Sequence, residues 1–270
     1  MPAGLEVIAG QATAPSATFT ALTMNAGNTL TVRNAALATD VRLINMWAKN
    51  QVAGVFRVRS PKLHDNVQGI RMRNPGASAI EMLPWNTFQK LVPQDNLVAE
   101  ITGSAVAGQF EQGAMLLYYA DLPGQMARLT TITDVQRRGV NLFTVESTIT
   151  PSALGGYSGA QAINANFDQF KANTDYALLG YRVDVRCTVV RWLGIDTGNL
   201  GVGGPGEPSI GDVTANWFAL HAINQNLPLI PVFNSANKFG ITTDIMQDQA
   251  AAVVTLTSIM VELAPGTIGT

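Results

Sequence analysis

The feature that most constrains this chain is a succession of short apolar and β-branched segments separated by turn residues, with little helical periodicity. Val, Ile, Thr and aromatic residues favour strands, and Gly, Pro and Asn interrupt them. The strand-like segments occupy residues 19–24, 29–32, 41–47, 54–59, 69–73, 114–119, 182–190 and 252–261. The pattern predicts an all-β protein folded as a sandwich or a barrel, with short helices around 85–90 and 212–224.

The two halves of the sequence resemble each other. Three matches occur in the same order: residues 39–44 with 174–179 (135 positions apart), Trp85 and Pro93 with Trp217 and Pro231 (the prolines 138 apart), and Leu122 with Leu263 (141 apart). Matches at nearly half the chain length indicate an internal repeat. The sequence therefore predicts duplication of a β unit of roughly 130 residues.

This repeat defines the predicted organisation of the chain. Residues 1–16 are interpreted as an N-terminal arm, 17–135 as the first β unit and 136–270 as the second. The join is expected in the polar stretch 130–141. Residues 194–211 are rich in Gly and Pro, which disfavour both helices and strand ladders, so this stretch is predicted to be a projecting loop.

Charged residues are scarce. They make up 13% of the 270 residues, whereas a typical soluble domain carries roughly 25%. Free surfaces are usually rich in charge and the cores of interfaces are depleted of it. The composition therefore favours a chain that keeps much of its surface against other protein. The alternative is a surface of Ser, Thr, Asn and Gln, which stays soluble without a partner.

The charge distribution and the first residues also limit the possible partners. The net charge is −2, and no run of five or six like charges suggests a basic arm that would neutralise packaged nucleic acid. The first residues lack the features of a signal peptide, and no stretch reaches the roughly 18 apolar residues of a membrane span. We expect the protein to be made and folded in a cytoplasm.

Residues that commonly perform catalysis or bind metals are few: one cysteine and two histidines. Cys187 lies in a strand pattern and His221 in an apolar run, so both are expected to be buried structural residues. His64 adjoins Asp65 in a turn, but a catalytic triad forms from residues distant in sequence, and no Gly-x-Ser-x-Gly motif occurs. The sequence predicts no enzymatic activity, no cofactor, no metal and no small-molecule substrate.

Residues 196–207 imitate the spacing of a calcium-binding EF-hand loop, with Asp196 first and Glu207 twelfth. The third and fifth positions, Gly198 and Leu200, offer no side-chain oxygen. No Gly-Lys-Ser/Thr follows, so the segment does not match a phosphate-binding loop either. Neither a calcium site nor a phosphate site is predicted here.

Basic residues concentrate between positions 33 and 73, where eight Lys and Arg stand against two Asp. Arg57 and Arg59 are two residues apart, as are Arg71 and Arg73, and that spacing places each pair on one face of a strand. If the two strands are neighbours, four guanidinium groups share a patch.

Arginine binds phosphate and carboxylate in bidentate fashion, so this patch is a candidate site for phosphate or for contact between subunits. The partner could be packaged nucleic acid, lipid headgroups or an acidic protein surface. A second copy could supply that acidic surface, since residues 139–270 contain 5 basic and 10 acidic residues. The alternative interpretation is a solvated face.

The tandem β units, the low charge and the projecting loop together resemble the double-jelly-roll major capsid proteins of tailless icosahedral viruses, the adenovirus-hexon-like lineage with its phage members. The resemblance covers the whole chain and is architectural, without a short motif to transfer. It implies two tandem jelly-roll β-sandwiches of eight strands each, and chains grouped as homotrimers in a capsid lattice. It also implies a virion protein, made in a host cytoplasm, that contacts other virion proteins and either packaged nucleic acid or an internal membrane.

Other functions compete with this interpretation. A carbohydrate-binding or adhesin β-sandwich of a phage tail or a cell surface would display aromatic side chains on its loops, and the projecting loops here offer mainly Tyr157. An enzyme on a cupin-type jelly roll would need several metal-binding histidines, and the chain has two. Within the coat-protein class, a single jelly roll with an elaborate second half is the nearest rival.

Overall fold

A computed structural model describes most of the chain, with gaps of one to seven residues. The described residues are 3–24, 30–33, 41–63, 65–77, 80–85, 89–122, 124, 127–163, 169–247 and 251–266. They form four antiparallel sheets and three short α-helices, namely α1 (Ile132–Arg138), α2 (Gly211–Thr214) and α3 (Trp217–Gln225). The all-β prediction is confirmed.

The first half of the chain forms two sheets, which we call the first sandwich. Its strands are β1 (Gly4–Thr13), β2 (Thr20–Ala21), β3 (Thr23–Met24), β4 (Val41–Lys49), β5 (Val52–Arg59), β6 (Ile70–Gly76), β7 (Ile80–Met82), β8 (Gln89–Leu91), β9 (Val98–Ile101) and β10 (Phe110–Tyr119). One sheet has the order β3-β1-β10-β4-β7, with β8 also paired to β4, and the other has the order β2-β9-β5-β6. Ile8 and Met115 of one sheet share a core with Phe56 and Ile101 of the other.

The second half forms the second sandwich. Its strands are β11 (Leu129–Thr130), β12 (Gly139–Ile149), β13 (Tyr157–Ala162), β14 (Asp175–Val183), β15 (Cys187–Leu193), β16 (Val202–Gly206), β17 (Ile230–Asn234), β18 (Thr242–Met246) and β19 (Val254–Leu263). The sheet orders are β11-β17-β14-β19-β12 and β13-β18-β15-β16. Helices α2 and α3 lie between β16 and β17, which confirms the predicted helix around 212–224.

Both sandwiches have the same connectivity. Without the short β3, β7 and β11, each has eight strands in chain order, and these pair as 1-8-3-6 in one sheet and 2-7-4-5 in the other. Two facing antiparallel sheets of eight strands in this order form a jelly roll. The structure thus contains two tandem jelly-roll β-sandwiches, as the resemblance implied.

A matching β-bulge shows where the predicted repeat is in register. Ile44 of β4 has no partner on β10, because Leu43 and Asn45 pair with consecutive residues. Leu179 of β14 has no partner on β19 for the same reason. The match of residues 39–44 with 174–179 places Ile44 on Leu179, so it is correct to the residue over the part that the structure describes, which excludes residues 39 and 40.

The other two matches identify equivalent strands but not equivalent residues. Tyr119 pairs with Val41, and Glu262 pairs with Tyr176, the residue 135 positions after Val41. Tyr119 therefore corresponds to Glu262, 143 positions later, and the match of Leu122 with Leu263 is two positions out of register. By the same reasoning, Leu91 of β8 corresponds to Phe233 of β17, so Pro93 and Pro231 are not equivalent.

Three further sequence interpretations differ from the structure. Within the expected arm at 1–16, Gly4–Thr13 is β1, paired along its whole length with β10. In the expected loop at 194–211, Val202–Gly206 is β16, where glycine allows close approach: a Cβ at Gly203 would lie 2.0 Å from the Val190 carbonyl oxygen. Residues 89 and 90 of the expected helix at 85–90 belong to strand β8, and 86–88 lie outside the described residues.

The sandwiches meet where the outer face of β1, β10 and β4 packs against β15 and β16. Leu5, Val7 and Leu116 on that outer face share one apolar cluster with Val202 and with the core of the second sandwich. The backbone N–H of Val7 donates to the Gly201 carbonyl at 2.7 Å. The three central strands of the first sandwich are therefore buried on both faces.

Trp47 of β4 joins the two sandwiches directly. Its side chain is fully buried, its Nε1 donates to the Thr188 carbonyl at 2.8 Å, and its ring meets that of Trp217 edge-on with centroids 5.7 Å apart. The chain as a whole exposes 10752 Å², close to the roughly 11,300 Å² expected for a folded monomer of its mass. The chain therefore buries its own core without a partner.

Replacing Trp47 should weaken both sandwiches together. We expect Trp47→Ala to lower the free energy of unfolding by about 3–5 kcal/mol, because it leaves a cavity in the core between them. Trp47→Phe keeps one aromatic ring and loses the N–H to Thr188 with part of the buried volume, so its cost should be smaller, about 1–3 kcal/mol. Urea unfolding followed by circular dichroism measures both; a loss below about 1 kcal/mol for Trp47→Ala would contradict this packing.

Candidate functional site

The four arginines singled out from the sequence lie together on one face of a sheet. Strands β5 and β6 pair so that Arg57 is directly opposite Arg71 and Val55 is opposite Arg73. Arg59 follows two residues after Arg57 on the same side of β5. The alternate residues Phe56, Val58 and Met72 point into the core, so the arginines point outward. We call this surface of Arg57, Arg59, Arg71 and Arg73 the arginine face.

Glu100 of β9 neutralises part of the arginine face. It pairs with Arg57 across β5 and β9, and its Oε2 accepts from Arg57 Nε at 2.7 Å. Arg59 donates to the same carboxylate through Nε at 2.9 Å and Nη2 at 3.1 Å. Hydrogen bonding from Arg59 lowers the pKa of Glu100, although partial burial opposes the shift. The sequence did not indicate that Glu100 belongs to this patch, because Glu100 is 41 residues from Arg59 and comes close only through the pairing of β5 with β9.

Phe19, just before β2, stacks beneath two of the arginines. The Cζ of Arg57 lies 3.7 Å from the centre of its ring and that of Arg71 lies 5.5 Å away. Arg71 also donates from Nε to the Gln68 carbonyl at 3.1 Å. A guanidinium over an aromatic face is attracted electrostatically and keeps its outer N–H groups free for another partner.

Two arginines remain available to an external partner. Arg59 donates through two nitrogens to Glu100, and Arg57 donates to Glu100 and to the Val67 carbonyl. In contrast, Arg71 and Arg73 are exposed and form no ion pair with any residue that the structure describes. Four arginines and one glutamate leave a net charge of +3. The geometry suits an anionic group, either phosphate or carboxylate, presented by a surface that approaches the sheet face-on.

His221 is buried between two tryptophans where the sandwiches meet. Its ring lies 4.5 Å from those of Trp85 and Trp217, and neither ring nitrogen has a hydrogen-bond partner among the described residues. Burial lowers the pKa of His221 to about 3, so the imidazole is neutral. This agrees with the expectation of a buried structural residue.

The remaining sequence candidates are structural or lie outside the description. Cys187 is fully buried, and His64 is outside the described residues. Asp196 accepts from the Asn234 backbone N–H at 2.9 Å and from Asn237 Nδ2 at 3.1 Å. Glu207 caps the turn at Ser209 and pairs with Arg186. Within the described ranges, no cluster of three or more His, Cys, Asp or Glu could hold a metal, and no helix could span a membrane.

A cavity of about 410 Å³ opens at one end of the second sandwich, lined by Arg128, Arg138 and Asp175 among others. Arg128 donates to Asp175 at 2.8 Å. Arg138 binds Asp134 at 3.0 Å and the Ala264 carbonyl at 2.8 Å. Because these charges satisfy one another, the cavity presents less unpaired charge than the arginine face.

Comparison with known proteins leaves the function open. No protein-family model matches the sequence, and no curated protein does. Among solved structures, the PBSX exported protein XepA is 10% identical over 95% of this chain and 86% of its own, with a TM-score of 0.28. BpGH86A, a β-porphyranase of glycoside hydrolase family 86 from the human gut bacterium Bacteroides plebeius, is 10% identical over 97% of this chain and 35% of its own, with a TM-score of 0.17. Likenesses this small define neither a common fold nor a function.

His221 should make stability depend on pH in a defined window. The unfolded histidine titrates near pH 6.5 and the folded one near 3, so between these values only the unfolded state takes up the proton. We expect the free energy of unfolding to fall by about 1.4 kcal/mol per pH unit from this group, or about 2 kcal/mol between pH 6.5 and 5. Urea unfolding of the unmodified protein and of His221→Phe should show this slope only in the former; parallel curves would contradict the assignment.

Proposed function

We propose that this protein is a structural virion protein, the major capsid protein of an icosahedral virus, with a phage as its most natural source. The observation that carries the proposal is the pair of complete jelly rolls in one chain, locked together through a sheet that is buried on both faces. Two rigid, similar units held in a fixed relation supply repeated side surfaces from which a lattice can be built. The proposed location is the virion, after synthesis in a host cytoplasm.

The proposed role is structural rather than catalytic, and the proposed assembly unit is a homotrimer. Closed symmetry with three chains would bring six jelly rolls around one axis. In this role other virion proteins, and packaged nucleic acid or an internal membrane, would meet the shell at its inner or outer surface. The low charge content of 13% supports extensive contact between protein surfaces.

The carbohydrate-binding alternative requires an exposed aromatic side chain, and Tyr157, the candidate for that role, does not support it. Tyr157 lies with its ring against Arg191, whose Cζ is 3.3 Å from the ring centre, and burial raises the pKa of its hydroxyl. A side chain held in this way does not present a stacking platform to a sugar. The adhesin interpretation therefore becomes an outcome of the assembly test rather than a second proposal.

Assembly of the purified chain tests the proposal. We expect native mass spectrometry and light scattering to show trimers at tens of micromolar concentration, and negative-stain microscopy to show particles or sheets under some condition of salt and pH. Unfolding by urea provides the control that the sample is folded. A folded monomer that forms no larger species under any of these conditions would exclude the coat-protein role and leave the adhesin-type sandwich.

A further inference from the structure

The arginine face has a second copy inside the molecule. On β15 of the second sandwich, Arg191 lies directly opposite Asp244 of β18. Arg191 binds this carboxylate through Nε at 2.7 Å and Nη2 at 3.1 Å. The ring of Tyr157, at the start of β13, stacks on the same guanidinium at 3.3 Å.

The two sets occupy equivalent positions in the two jelly rolls. Each has an arginine on the fourth strand, an acid opposite it on the seventh, and an aromatic residue at the first position of the second strand or just before it. Arg57, Glu100 and Phe19 thus correspond to Arg191, Asp244 and Tyr157. The aromatic residue also has the same register in both copies. Tyr157 pairs with Met246, which is two residues after Asp244. Thr20 pairs with Ile101, one residue after Glu100, so the preceding residue, Phe19, faces the second residue after Glu100.

The copies differ in what covers them. The copy in the second sandwich is covered by the first sandwich, whose Val7 donates to the Gly201 carbonyl at 2.7 Å, and Arg191 is only 7% exposed. In the first sandwich no second sandwich lies over the copy among the described residues. Its Arg57 and Glu100 side chains are 13% and 11% exposed, shielded in part by Phe19, and Arg71 and Arg73 beside them are exposed. The fold therefore repeats a surface that it covers with a whole sandwich only once.

The surface that does the covering is repeated as well. The first sandwich covers its neighbour with outward residues of β1 and β10, and the equivalent outward residues of the second sandwich lie on β12 and β19. The strand pairings give the equivalents. On β12, Leu142, Thr144 and Glu146 correspond in order to Leu5, Val7 and Ala9 of β1. On β19, Val261, Ile259 and Thr257 correspond in order to Tyr118, Leu116 and Ala114 of β10. We call this set of six residues on β12 and β19 the open face.

The open face is exposed and nearly uncharged. Leu142 is 67% exposed, Thr144 and Glu146 are exposed, and the β19 residues are half-buried. Glu146 is its single charge and forms no ion pair or hydrogen bond with the residues described. An exposed patch that combines leucine, isoleucine and valine is typical of an interaction site.

We propose that the arginine face of one copy docks on the open face of a second copy, head to tail. The contact repeats the arrangement already present inside the chain, where the equivalent faces of its own two sandwiches meet. The charges are complementary: residues 1–138 contain 12 basic and 9 acidic residues, a net +3, and residues 139–270 contain 5 and 10, a net −5. Different surfaces on the two partners make a heterologous contact, which closes into a ring or extends as a filament.

One difference between the two copies explains why a docking partner must supply hydrogen-bond acceptors for the arginines. Opposite Arg191 the fifth strand carries Gly203, and the neighbouring Gly201 lets the backbone of β1 come within hydrogen-bond distance. The position opposite Arg57 carries Arg71 instead. A docking partner is therefore held off the backbone and met by guanidinium groups, for which Glu146 on the open face is the matching carboxylate.

This inference rests on the proposed self-assembly and identifies its surfaces, so the test uses two complementary variants. The first, Arg71→Glu with Arg73→Glu, places carboxylates against Glu146. The second, Thr144→Arg with Glu146→Arg, places guanidinium groups against the arginine face. We expect each variant alone to associate about a hundredfold more weakly than the unmodified protein, because like charges meet at the contact. Mixing the two should restore complexes that contain both variants, by native mass spectrometry.

The matched control is Lys90→Glu with Lys238→Glu, which changes the net charge as much as the first variant but lies on neither face. It should associate as the unmodified protein does, and circular dichroism should show all variants folded. If either variant associates normally by itself, or if the mixture stays dissociated, the head-to-tail contact is wrong. Like-to-like docking of either face would give the first of these results.

Three outcomes separate this inference from the proposed function. Assembly of the unmodified protein together with unimpaired variants would overturn the docking faces and leave the coat-protein role standing. A monomeric unmodified protein would overturn both. If a single-stranded oligonucleotide binds the unmodified protein but not Arg71→Glu with Arg73→Glu, while self-association is unchanged, the arginine face binds nucleic acid and the docking assignment is overturned.

Discussion

Burial of one sheet on both of its faces is the constraint on which the rest of the structure depends. Antiparallel sheets in sandwiches commonly keep one face in water. Here β1, β10 and β4 place Ile8 and Met115 in the core of the first sandwich and Leu5 and Leu116 against the second. The two jelly rolls cannot separate without exposing that second apolar face, so their relative placement is fixed by the same residues that fold them.

The sequence predicted β5 and β6, which have one face in water, and also β4 and β10, which are buried on both faces, but it missed β1 and β16. Strands β5 and β6 alternate between arginines and apolar residues, so their orientation could be predicted from a period of two. The β1 segment has no such alternation, because both of its faces are buried, and its sequence alone therefore does not indicate a strand. In β16, Gly203 and Pro205 argued against a strand, and only the close approach of neighbouring backbone explains why they are there.

The candidate site was predictable in part for the same reason. The spacing of Arg57 with Arg59 and of Arg71 with Arg73 placed each pair on one face, but it could not show which carboxylate lies across the sheet. Glu100 and Phe19 come from other strands, and their positions follow only from strand pairing. The repeat of 135 positions contained that information in principle, since it also relates Arg57 to a residue within one position of Arg191.

The equivalent carboxylates show what covering such a surface costs and how this chain offsets it. In the covered copy, burial raises the pKa of Asp244 and so disfavours its ionised form. The bidentate hydrogen bonds from Arg191 oppose that effect. In the uncovered copy, hydrogen bonding from Arg59 lowers the pKa of Glu100. The position equivalent to Arg59 is Leu193, so Glu100 has one more guanidinium than its counterpart. A partner that docks on the arginine face therefore meets a carboxylate that two guanidinium groups already hold ionised.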